Sequence, residues 1–198
     1  MPYVAVNGLD MYSELRGVWL VWGCTPFAIA VLAGLATTAA LAHPPSSAAR
    51  TACGVERWTL KTLQDRPRLF PVRRTTIARL VSLPAPSVLP PTRLPFERRV
   101  FRVTAAVTLD RPEVDGDLHL VLSDGQRTMI AESPSPGCTS GATRLRRRQM
   151  ATARRRVELC ARARVTGVAF FDFLHGQTGV APNGIELHPV LAFRCVQP

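Results

Sequence analysis

The stretch Gly167 to Phe193 (GVAFFDFLHGQTGVAPNGIELHPVLAF) gathers Asp172, His175, Gln177, Asn183, Glu186 and His188 around one loop. Glu186 and His188 are two residues apart, so on a strand they project from one face. Asp117 and His119 have the same spacing, and strand order can bring the two pairs together. A carboxylate–histidine cluster binds a metal ion or does acid–base work. The competing outcome is a buried hydrogen-bond network that positions the loop, with Asn183-Gly184 serving as a turn.

A second set of residues suits phosphate. Between positions 144 and 164 the chain carries nine arginines. Read as part of a helix, Arg147, Arg148, Arg154 and Arg155 lie on its polar side and can grip a polyanion, with affinity falling steeply in salt. Few aromatic residues interleave with them, so base stacking is not indicated. The competing outcome is a solvated helix face.

The elements that position these groups follow from periodicity. Arg98 to Leu109 alternates as a long strand, Asp117 to Ser123 as a second and Gln126 to Glu132 as a third, with Asp124-Gly125 as a hairpin turn between the last two. Thr139 to Arg164 has apolar residues at helical spacing and predicts one helix, with Cys160 on its buried stripe. Val165 to Phe173 and Ile185 to Phe193 read as the fourth and fifth strands. Upstream, Trp58 to Thr62 suggests a short strand and Thr75 to Leu83 a short helix, and five prolines break Pro84 to Pro95. The order β-β-β-α-β-β is that of an OB-fold, a five-stranded, partly open barrel. The expected organisation is therefore mainly β with one helix. Residues 43–97 form a Pro-rich lead and N-terminal extension, and 98–198 the barrel; an open α+β sheet is the alternative.

The N-terminus reads as an export signal. Arg16 precedes an uncharged run from Val18 to Ala42 that closes on Ala40-Leu41-Ala42, which predicts a signal peptide over 1–42 cleaved after Ala42. The run is also long enough for an uncleaved anchor, the one case in which a membrane partner is expected. From His43 onward the chain holds 24 of 25 basic and 12 of 14 acidic residues, a balance of +12 (24 − 12). Such a charge favours nucleic acid or acidic cell-wall polymer as partner. Four cysteines remain after cleavage, and an even number in an exported domain predicts two disulfides. Cys53–Cys195 with Cys138–Cys160 is the expected pairing of the three possible, tying the chain ends together and pinning the helix to its preceding loop.

Two resemblances add to this. The C-terminal block, with Glu56-Arg57-Trp58 and Asp117-Leu118-His119-Leu120-Val121-Leu122, resembles a family of exported bacterial proteins without an assigned function, over roughly Cys53 to the end. It implies kinship and no activity. Val114-Asp115-Gly116-Asp117, with Arg127 and Glu132 five residues apart, resembles the active site of staphylococcal-type thermonucleases over about 35 residues. That likeness implies an OB-fold in which Asp115, Asp117 and Glu132 hold a divalent cation and Arg127 neutralises phosphate oxygens. The chain departs from the pattern at Ser135, where those enzymes carry a glutamate as general base, and it has no clear match for their second arginine. The expected function is non-catalytic binding of an anionic polymer or envelope partner, with no cofactor. The alternatives are a metal-dependent phosphodiesterase, using calcium or magnesium, and a structural envelope module.

Overall fold

A computed structural model describes residues 53–198. The expected signal segment lies outside the described residues. Six strands, β1 (Val72–Arg74), β2 (Val100–Pro112), β3 (Leu118–Ser123), β4 (Thr128–Ser133), β5 (Cys160–Phe171) and β6 (Ile185–Gln197), join in the order β1-β2-β3-β4-β6-β5, and β5 pairs back onto β2. β2 to β6 thus close a five-stranded barrel. A meander, a helix and a hairpin, with the parallel β4–β6 contact as the seam, define an OB-fold. The protein is mainly β, as the strand pattern predicts, and β1 adds a short parallel strand outside the barrel.

β2 closes the circle because it serves two neighbours. Register shifts near Val107 and Leu109 bend it, so its first half pairs with β5 and its second half with β3. Val103, Ala105 and Val107 alternate inward and meet Leu120, Leu122, Met129, Ala131, Val165, Leu187 and Phe193 in the barrel core. Ile77 and Leu80 of helix α2 (Ile77–Val81) join the same core. α2 is N-capped by the Thr76 hydroxyl, which accepts from the Arg79 N–H.

Three expectations are corrected. Trp58–Lys61 is a short helix, α1, and not a strand. The long helix is cut to Arg144–Arg154 (α3), capped by Thr143. Cys160 to Arg164 instead opens β5: the run Cys-Ala-Arg-Ala-Arg-Val also alternates, with Ala163 and Val165 fully buried and Arg162 and Arg164 exposed. Pairing with both β2 and β6 outweighs local helix preference there. The third correction follows from the second. Cys160, on β5, lies beside Cys195 of β6 and bonds to it, while Cys138 bonds to Cys53. Two disulfides form as expected, but neither expected pair does, because that pairing needs Cys160 on a helix. Cys53–Cys138 ties the N-terminal segment to the loop after β4. Arg57 fixes the segment further through a buried two-pronged ion pair with Glu97 (2.8 and 2.9 Å) and a bond to the Phe171 carbonyl (2.7 Å). Glu97 also accepts from the Phe171 and Leu94 N–H groups. The extension is therefore a packed roof over one outer face of the barrel.

Candidate functional site: a buried acid–histidine centre and its pocket

The roofed face belongs to β3, β4 and β6. His119 and Glu132 are direct cross-strand partners on β3 and β4, and Ile130 of β4 pairs with Glu186 of β6. Asp117 leads into β3 from a tight turn in which Gly116 takes φ 86° and the Asp115 carboxylate accepts from the Asp117 N–H. These placements bring Asp117, His119, Glu132, Glu186 and His188 together, all essentially buried. The two same-face pairs legible in the sequence do meet, with Glu132 between them.

His188 occupies the inner half of the centre. Its Nδ1 lies 2.9 Å from Glu132 Oε2 and 3.1 Å from Glu186 Oε1, and its Nε2 lies 3.2 Å from Asp117 Oδ2. The contact with Asp117 has ion-pair distance without hydrogen-bond alignment, which leaves that carboxylate under-satisfied. Burial alone would lower the His188 pKa, but the three surrounding carboxylates raise it well above the usual imidazole value. His188 thus bridges Asp117 and Glu132, and ligand atoms of the three lie within 4.8 Å of one another. Burial pushes Glu186 up to about 7, reinforced by the Glu132 charge. Burial also favours a raised Glu132, yet hydrogen bonds from His119 and His188 and the Lys61 charge hold it well below the usual carboxylate range. Burial raises Asp117, partly offset by His188.

The outer half faces a cavity of about 180 Å³. His119 Nδ1 lies 3.2 Å from Glu132 Oε1 and 3.5 Å from Glu113 Oε1, while its Nε2 is 2.9 Å from the Thr178 carbonyl. The carbonyl fixes the Nε2 tautomer as a donor and aims Nδ1 at the two carboxylates, the arrangement by which a second contact orients a ligating histidine. Burial would lower the His119 pKa, but the Glu132 and Thr178 contacts raise it. Burial raises Glu113. Lys61 reaches in from α1 to Asp172 Oδ2 at 2.6 Å. Burial opposes its charge, and the Glu186, Asp172 and Glu132 charges more than compensate and raise its pKa. Trp58, Asp115, Glu113, Glu132, Lys61, Asp172, His175 and Gln177 line the cavity. His175 stands at the exposed rim, 2.9 Å from Glu56.

Other sequence candidates lie elsewhere. Arg127 is in the hairpin turn at the far end of the β3–β4 ladder, bonded to Gln126 and paired with Asp124. It stands off from Glu132 by roughly 16 Å, five residues at about 3.3 Å each. The nuclease-like pair Arg127 and Glu132 is therefore not brought together. Asn183 is structural: its amide donates to the Leu80 and Leu83 carbonyls at 3.0 Å, closing the end of α2. Arg147, Arg148 and Arg155 are exposed on or just after α3, whereas Arg154 turns inward and donates to the Ser133 carbonyl. Lys61 and Glu113 are pocket residues that sequence reasoning missed. Lys61 carried a signal, since it is the single lysine in a chain whose other cations are arginines.

No family model matches the chain, and no curated protein does. Among solved structures, an aspartyl-tRNA synthetase of Leishmania major is 15% identical with TM-score 0.41, covering 63% of this chain and 21% of that one. An asparaginyl-tRNA synthetase of Entamoeba histolytica is 9% identical (TM-score 0.36, 65% and 24%). The aspartyl enzyme of that organism is 14% identical (0.36, 66% and 26%). The chain spans about a fifth to a quarter of their lengths. Likenesses this distant carry no functional argument, and the OB assignment rests on the strand order and barrel closure above.

Proposed function

We propose that this OB-fold domain is an exported, non-catalytic binding module whose acid–histidine pocket holds a hard divalent cation, calcium or magnesium, and uses it to engage an anionic partner. Two disulfides suit an oxidising compartment, and no helix among the described residues is long and apolar enough to cross a membrane.

One observation carries the cation reading. The buried polar atoms on the cavity wall that lack a hydrogen-bond partner among the described residues, Asp172 Oδ1 and Gln177 Oε1, are both oxygen acceptors. Orphaned acceptors beside Glu113 and Glu132 call for a donor or a cation, and a set dominated by oxygens suits calcium or magnesium. Glu113, His119 and Glu132 have ligand atoms within 4.8 Å of one another, close enough for one ion.

A cation-dependent phosphodiesterase is the second reading, favoured by the convergence of Asp117 and Glu132. The distant Arg127 and the serine at position 135 weigh against it. The test measures binding of an acidic polymer, such as poly(glycerol phosphate), in calcium and then in EDTA, alongside a nuclease assay in calcium and in magnesium. The binding module predicts a calcium-dependent part of the affinity that Asp172→Asn removes, and no cleavage. Cleavage abolished by Glu132→Gln would establish the enzyme instead.

A further inference from the structure

On the opposite part of the barrel wall the outer face of the sheet is arginine. Arg74 of β1 is the direct register partner of Arg102 on β2. Arg102 in turn pairs with Thr166 on β5, and two residues along Thr104 pairs with Arg164, which pairs with Arg194 on β6. Arg162 extends the row. Neighbouring strands lie about 4.8 Å apart, so Arg74 and Arg102, and likewise Arg164 and Arg194, start from adjacent backbone positions on one face. Like charges directly opposite across a ladder are destabilising. None of Arg74, Arg102, Arg162, Arg164 and Arg194 has a carboxylate within ion-pair distance among the described residues; Arg102 is half-buried and the other four are exposed. Arg102 is held only by its Nε bond to the Thr166 hydroxyl, at 3.2 Å.

Four of these arginines line a cavity. Arg74, Arg102, Arg162, Arg164 and the hydroxyls of Thr75, Thr76 and Thr104 surround a cavity of about 380 Å³. Guanidiniums are the side chains that bind phosphate oxygens two at a time, and threonine hydroxyls add further donors. No aromatic residue lines the cavity, so nothing there stacks on a base.

We propose that this arginine–threonine face binds a phosphodiester chain through its backbone, without reading bases. The ligand relieves the repulsion that the sheet otherwise carries, and the row across β1, β2, β5 and β6 contacts several phosphates in succession. This site differs from the acid–histidine pocket in residues and in charge, and it needs no cation.

The experiment is fluorescence anisotropy on the intact, oxidised protein in EDTA, so that a cation in the pocket contributes nothing. The probes are a labelled oligothymidylate and an abasic deoxyribose-phosphate chain of equal length, each across a salt series. The two probes bind alike. The triple variant Arg74→Gln, Arg102→Gln, Arg164→Gln weakens binding by roughly tenfold or more and lowers the slope of log K against log salt by about 2, at ~0.7 per lost contact on a single strand. Arg147→Gln with Arg148→Gln and Arg155→Gln on the helix leaves that slope unchanged. Without probe the triple variant melts no lower than wild type, since a repulsion has been removed. Arg164→Gln alone, at an exposed position, lowers affinity in the same direction and checks the result should the triple variant fold poorly. The proposal is overturned by absence of binding at low salt, by loss in the helix variant but not the sheet variant, by a clear preference for the base-bearing probe, or by tighter binding of a sulfated glycan than of either probe.

Discussion

His119 and Glu132 face each other across the β3–β4 ladder, with Nδ1 3.2 Å from Oε1, and the other Glu132 oxygen lies 2.9 Å from His188 Nδ1. One carboxylate therefore joins the pocket half of the centre to its sealed half. Glu132 reaches the cavity wall on one side, while His119 and His188 are both fully buried behind it.

Removing the joint is expected to be costly. Glu132→Gln removes the carboxylate charge that both buried histidines contact, and breaking a buried pair on one side costs about 3–5 kcal/mol. His188→Ala orphans Asp117 and Glu186 and should cost about 1–3 kcal/mol for the unsatisfied groups. Urea unfolding of the three proteins reads both values. A stability loss in His188→Ala that EDTA leaves unchanged marks the inner half as structural, and a wild-type-like His188→Ala would refute that role.

The pH dependence separates the groups. Glu186, raised to about 7 from 4.5, binds its proton more tightly folded than unfolded, so stability declines as pH rises through that interval. His119 and His188 are also raised, so their contribution is complete below 6.5 and is lost as pH climbs through their folded values. Glu132 is lowered, so its contribution is present above 4.5 and is lost on acidification below it. Stability should peak on the acid side of neutrality, and Glu186→Gln should flatten the decline between 4.5 and 7. Denaturant midpoints across a pH series test this; a wild-type optimum well above 7, or an unchanged slope in Glu186→Gln, contradicts it.

Much of the barrel was legible because period-2 alternation survives in β2, β3 and β6. Asp117 with His119 and Glu186 with His188 were legible as same-face pairs for the same reason. The run from Arg155 to Arg164 was not, because Ala, Arg and Val satisfy helical and strand spacing at once and only the partners β2 and β6 decide between them. The cysteine pairing depended on that choice. Lys61 and Glu97 were hidden by distance along the chain: their partners Asp172 and Arg57 lie 111 and 40 residues away.

Peptide mapping without reduction should join Cys53 to Cys138 and Cys160 to Cys195. Their separations of 85 and 35 residues correspond to about 4–5 kcal/mol each on the chain-entropy account. Any Cys138–Cys160 peptide would refute the register of β5.

Export is tested at the N-terminus. Sequencing of the secreted protein should begin at His43, and finding only the uncleaved chain in the cytosol would contradict the expectation.

The central claim is that the outer pocket is a cation site. Isothermal titration of the oxidised, EDTA-dialysed protein with calcium chloride, and separately with magnesium chloride, addresses it most directly. The expected result is saturable binding of one ion, lost in both Glu113→Gln and Asp172→Asn while the two variants stay folded by circular dichroism. An absence of saturable heat with either ion, together with a melting point unmoved by calcium, magnesium or EDTA, would contradict it.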